Sequence, residues 1–66
     1  MNSNKLKAKI VECGFSYKHM SELLELSRPS FFSKLRGQTQ FKLNELQTMI
    51  CVLNLSEDEI IKIFFE

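Results

Sequence analysis

The 66 residues predict an all-α domain built from five short helices. Three observations lead there. Apolar residues recur at helical spacing, as at Leu6, Ile10 and Cys13, and again at Leu46, Met49, Ile50 and Leu53. No segment alternates Val, Ile or Thr at period two, as a half-buried strand would. Start and stop residues divide the chain: Ser16, Ser27 and Ser56 stand where helices begin, and Gly14 and Gly37 where they end.

The first helix is expected over residues 3–13, with Leu6, Ile10 and Cys13 on one face and Lys5, Lys9 and Glu12 on another; Gly14 stops it. The second, over 17–24, is capped by Ser16 and turns Met20, Leu23 and Leu24 inward. The third, over 28–36, is capped by Ser27 and carries Pro29 in its first turn, where a missing N–H costs nothing. The loop 38–42 is polar except for Phe41. The fourth helix, over 43–54, repeats Leu43, Leu46, Met49, Ile50 and Leu53. Ser56 and Glu59 form a capping box for the fifth, and Glu57, Asp58 and Glu59 suit the positive end of its dipole. Helices under ~12–15 residues are marginal alone, so packing must hold them. The expected core is Leu6, Ile10, Met20, Leu23, Leu26, Phe31, Leu35, Phe41, Leu46, Ile50, Leu53, Ile60 and Phe64.

Composition narrows the function classes. No run of ~18 apolar residues exists to span a membrane, and the first ten residues lack the apolar stretch of a signal peptide, so a cytoplasmic protein is expected. Cys13 and Cys51 are expected to be free, buried thiols, with no spacing that fits zinc. No paired-carboxylate cleft or phosphate-binding glycine loop is present, and the single His19 reads as a surface residue. Neither an enzyme nor a cofactor is therefore expected. Net charge is only +1, but it is unevenly spread. Residues 1–42 carry eight Lys/Arg against three acids, a net of +5; residues 43–66 carry Lys62 against five acids, a net of −4. A basic front attracts phosphate, and an acidic back limits sticking to other surfaces.

Residues 16–37, SYKHMSELLELSRPSFFSKLRG, carry the functional signal. They read as two short helices joined by a tight turn, the second basic and closed by Gly37, the pattern of a DNA-reading helix-turn-helix. With Phe31 and Leu35 facing in, Arg28, Pro29, Phe32, Ser33 and Arg36 face out. Arg28 is expected to bond guanine O6 and N7, Ser33 to reach a base edge, and Pro29 and Phe32 to touch a thymine methyl. Tyr17, Lys18, Ser27, Lys34, Arg36, Gln38, Thr39 and Gln40 are placed for backbone phosphates, which position without reading sequence.

These residues resemble the small phage Cro and repressor domains of the xenobiotic-response-element type, and the likeness spans about residues 4–65. It is carried by Cys13-Gly14-Phe15, by Ser16 through Leu23, by Leu26-Ser27-Arg28-Pro29-Ser30-Phe31, by Lys34-Leu35-Arg36-Gly37, and by the helix after Leu55-Ser56. The resemblance implies a five-helix, lambda-repressor-like fold whose third helix reads a double-stranded DNA operator. The chain departs from that family in its polar signature. Tyr17 replaces a glutamine that contacts phosphate, Ser21 an alanine, Glu25 a turn glycine with positive φ, and Arg36 an asparagine. The family's last helix helps form a two-fold dimer. Here Ile63 and Phe65 exceed what one core face needs and are expected at that interface.

A rival reading comes from Phe32. An exposed phenylalanine beside Pro29 makes an apolar patch, and such patches mark protein contacts. On that reading the domain is a modulator, or antirepressor, that binds a partner repressor protein through the same face.

Overall fold

The computed structural model describes residues 1–65. Five α-helices follow one another: α1 (Ser3–Glu12), α2 (Tyr17–Leu23), α3 (Arg28–Leu35), α4 (Leu43–Val52) and α5 (Glu57–Ile60), the last running on as a π-helical turn, Ile61–Phe65. No strand occurs among the described residues.

A shared local code starts every helix except α4, whose capping residue Lys42 offers no side-chain acceptor, and stops the first four. Asn2 Oδ1 accepts from Lys5 N–H at 3.0 Å, Ser16 Oγ from His19 N–H at 3.0 Å and Ser27 Oγ from Ser30 N–H at 3.3 Å. Ser56 and Glu59 form the expected reciprocal box, at 3.2 and 3.0 Å. The first four helices all end in the same paired hydrogen bonds around one left-handed residue: Gly14 (φ 80°), Glu25 (φ 57°), Gly37 (φ 82°) and Asn54 (φ 51°). In each, that residue donates to a carbonyl three back, as Glu25 to Glu22 at 3.1 Å. The next residue donates to a carbonyl five back, as Leu26 to Ser21 at 2.9 Å. Three of the connections then share one pattern: a left-handed residue, an apolar residue, and a serine that caps the next helix. They are Gly14-Phe15-Ser16, Glu25-Leu26-Ser27 and Asn54-Leu55-Ser56.

Glu25 therefore holds the backbone form that favours glycine, and a side chain there costs ~1–2 kcal/mol. Glu25→Gly is expected to stabilise the domain, by about 0.5–1 kcal/mol once glycine's greater unfolded-state freedom is subtracted. A lower urea midpoint for this variant would contradict the observed turn.

The core consists of Leu6, Ile10, Met20, Leu24, Phe31, Leu35, Met49, Leu53, Leu55 and Ile63, with Phe15, Leu26, Phe41, Leu46, Ile50, Ile60 and Phe64 packed around it. Three expectations are corrected. Leu23 is 38% exposed, because the buried pair on α2 is Met20 and Leu24, four apart. Leu43 is 72% exposed, because the inward stripe of α4 runs through Glu45, Met49 and Leu53. Ile63 is buried at 4%: the wider π-helical turn shifts the register that straight α-helical spacing assigns to Ile60 and Phe64. Cys13 and Cys51 are free thiols, as expected, but both are exposed. Cys13 caps the end of α1, and its Sγ lies 3.7 Å from the Leu53 carbonyl.

Two contacts tie the C-terminal helix to α1. Asn2 N–H donates to the Ile63 carbonyl at 2.6 Å. Lys9 Nζ pairs with Glu59 Oε2 at 2.6 Å. The hydrogen bond from Lys9, with the Ser56 N–H beside it, lowers the Glu59 carboxyl from 4.5 to about 2; the Lys9 ammonium is raised in turn. A carboxyl whose folded value is depressed contributes stability that is present above its unfolded value and is lost as pH falls through the folded one. The pair's contribution is thus expected at neutral pH and lost between about 4.5 and about 2. Comparing urea midpoints of the wild type and Glu59→Gln checks this. The difference should be present at neutral pH and vanish at the acid end, and a difference that persists there would assign it to another cause.

Candidate nucleic-acid interface

α3 packs against both α1 and α2. Its inner face is set by Phe31 and Leu35, both fully buried. Four residues apart on one helix, they fix which side remains outside. Ser21 of α2 is buried. Its hydroxyl donates to the Lys18 carbonyl at 2.7 Å, so it packs as a small residue without an unmet polar group.

The outer side opens with Arg28, Pro29 and Ser30, all exposed in the first turn. Arg28 takes part in no ion pair among the described residues. Ser33 is half-buried one turn later. Pro29, Ser30, Ser33, Lys34 and Thr39 together line a shallow notch between α3 and the following loop. Arg36, Gln38, Thr39 and Gln40 are exposed. The start of that loop is held where α3 ends, with Gln38 and Thr39 N–H both directed at the Ser33 carbonyl at 2.9 and 3.4 Å. Ser27 is exposed, with its hydroxyl engaged as the cap. Lys18 is exposed and Tyr17 half-buried at the start of α2.

Two candidate residues are placed differently from expectation. Phe32 does not form a free patch. It is half-buried, its ring edge-on to Tyr17 at 5.8 Å and tilted against Phe31 at 6.0 Å. The same contact braces Tyr17 against α3. Lys34 is not available to phosphate, because its Nζ lies 2.6 Å from Glu45 Oε1 and its side chain is only 12% exposed.

Glu45 is the residue that sequence reasoning missed. It is 5% exposed, yet fully partnered, since the same Oε1 also accepts from Lys42 N–H at 2.8 Å. Burial pushes its carboxyl up, but the bonds from Lys34 and Lys42 outweigh this and leave it below the usual range. The one available signal was its place three residues after Lys42, the third position of α4, where a carboxylate reaches back to the capping residue's N–H.

Phe65 is 74% exposed and borders a groove of about 380 Å³ lined by Met1, Phe41, Leu46 and Phe64 together with Gly37, Thr39 and Gln40 of the loop after α3. Of the two residues expected at a dimer interface, only Phe65 offers surface. No group of His, Cys, Asp and Glu suited to a metal ion occurs among the described residues, and none of their helices is long and apolar enough to cross a membrane.

The family model described as "Protein of unknown function (DUF739)" matches residues 1–66, and the chain belongs to that family. No curated protein and no solved structure matches it.

Proposed function

We propose that this member of the DUF739 family is a sequence-specific DNA-binding transcription regulator of the Cro or repressor kind, with α2 and α3 as its helix-turn-helix in a lambda-repressor-like arrangement. One observation carries the reading. α3 turns Phe31 and Leu35 fully into the core and leaves Arg28, Pro29 and Ser30 exposed in its first turn, with an uncommitted guanidinium at the leading end. A helix presented this way enters a major groove by its N-terminal residues. Arg28 reads guanine, Ser33 and Pro29 complete the base-facing edge, and Lys18, Ser27, Arg36, Gln38, Thr39 and Gln40 hold the phosphates. Binding at a promoter would then repress by occlusion.

The reading includes a homodimer on DNA. Phe65 protrudes beside a groove lined by Met1, Phe41, Leu46 and Phe64 and rimmed by Thr39 and Gln40, and two copies related by a two-fold axis would each place a ring in the other's groove next to the DNA-facing loop. The operator would be near-palindromic, with half-sites ~34–36 Å apart.

Selection from a random duplex library, followed by anisotropy on the enriched pool at several salt concentrations, tests this. A palindromic site with a log–log salt slope of several units is expected, each neutralised phosphate contributing ~0.9. No enrichment and a flat slope would overturn it in favour of a partner repressor protein. The packing of Phe32 against Tyr17 removes the main apolar patch on which that rival rests.

A further inference from the structure

We infer that Glu45 is a positioning residue for the DNA-backbone contacts of the loop between α3 and α4, an inference that rests on the DNA-binding reading above. A single carboxylate oxygen holds both sides of that loop. It accepts from Lys34 Nζ in the last turn of α3 and from the N–H of Lys42, the residue that caps α4. Between these two anchors lie Gln38, Thr39 and Gln40, exposed and placed for phosphate. The near end of the loop is already closed by the hydrogen bonds to the Ser33 carbonyl. At the far end the chain is held by the Phe41 ring against Phe31 at 6.5 Å, by the Lys42 carbonyl, which accepts from Leu46 N–H at 3.0 Å, and by Glu45, the side chain that ties it back to α3. It also withholds the Lys34 ammonium from phosphate, so the notch beside α3 meets DNA with hydroxyls and amides in place of a mobile cation.

A buried ion pair contributes geometry more dependably than net stability, and replacing both partners by apolar residues is often neutral or stabilising. Position and stability are therefore separable here. The variants are Lys34→Met/Glu45→Leu and Glu45→Gln in the full chain. Affinity for the selected duplex is read by anisotropy across a salt series, with urea midpoints alongside. The double variant is expected to fold with near wild-type stability and to bind about tenfold more weakly, the scale of one lost charged hydrogen bond. Its salt slope should be unchanged. Glu45→Gln keeps an oxygen that accepts from both donors, and should bind much closer to wild type than the double variant does. Wild-type affinity in the double variant would overturn the positioning role. A slope shallower by ~0.9 would too, because it would mean that Lys34 itself contacts a phosphate. Should the double variant not fold, amide exchange in the wild type decides: the Lys42 amide should be protected like a core helix amide, and exchange at the rate of an exposed loop would overturn the inference. If the wild type binds no duplex, the DNA-binding reading fails and this inference with it. If the wild type binds and the double variant binds equally well, this inference fails alone.

Discussion

Phe31→Ala is expected to leave much of the protein unfolded at room temperature. Phe31 is fully buried and is the largest side chain in the core. It meets Tyr17, Phe32 and Phe41 at ring separations of 6.4, 6.0 and 6.5 Å, so it joins α2, α3 and the loop after α3 in one aromatic cluster. Truncating such a residue costs about 3–5 kcal/mol, partly for lost burial and partly for the cavity left behind. A chain of this length has a total stability of roughly 3–10 kcal/mol. The loss therefore takes a large share of the whole, and far-UV circular dichroism should show reduced helicity before any denaturant is added. Phe31→Leu keeps most of the volume and should stay folded with a lowered urea midpoint. A fully helical, cooperatively unfolding Phe31→Ala would mean that the core does not depend on this cluster.

Arg28→Ala carries the second large effect, on recognition and not on stability. Arg28 is exposed at the first position of α3, with no ion pair among the described residues, so its removal leaves the fold intact. Its planar guanidinium suits guanine O6 and N7 together, a contact worth ~1–3 kcal/mol of discrimination. Affinity for the selected operator should fall by about 5- to 150-fold, and affinity for unrelated duplex much less. Arg36 provides the contrast. It is exposed at the other end of α3 and, as a phosphate contact, its replacement should weaken both duplexes alike and make the salt slope shallower by ~0.9. Equal losses on both duplexes for Arg28→Ala would demote Arg28 to a phosphate contact.

The helix boundaries were legible in the sequence because they rest on local chemistry. A serine oxygen satisfies an N–H three residues on at the start of α2, α3 and α5, and a left-handed residue closes each of the first four helices. Position 25 is different: the sequence leaves open whether a glutamate there keeps or reshapes the turn, and the structure keeps it, at φ 57°. Asn54 plays the same part at the end of α4 and was not foreseen; asparagine tolerates that conformation, but nothing nearby in the chain marked it as the stop. The errors in the core have one physical source. Periodicity gives the direction of a helical face only to about one residue, so it turns Leu23 inward beside Leu24 when only Leu24 is buried, and it sets the buried stripe of α4 one residue away from Glu45. The π-helical turn at Ile61–Phe65 breaks the period itself, which no spacing rule anticipates.

The candidate site divides the same way. That Arg28, Pro29, Gln38, Thr39 and Gln40 are exposed followed from placing Phe31 and Leu35 inward. That Lys34 is tied to Glu45, and Lys9 to Glu59, did not follow, because these partners are 11 and 50 residues apart and meet only through tertiary packing. A lysine on a helix near a basic patch looks the same in sequence whether its ammonium faces solvent or a buried carboxylate. Phe32 is a similar case, since its half-burial depends on a tyrosine supplied by the preceding helix.

The most direct test of DNA reading by α3 is a titration of isotope-labelled protein with a duplex, followed by amide chemical-shift mapping. The largest shifts should fall on residues 27–40 and the start of α2 at Tyr17 and Lys18, with the α5 face little changed except where two copies meet at Phe65. Shifts confined to Met1, Leu46, Phe64 and Phe65, with Arg28, Pro29 and Ser30 unmoved, or none at any duplex concentration, would contradict DNA reading by this helix.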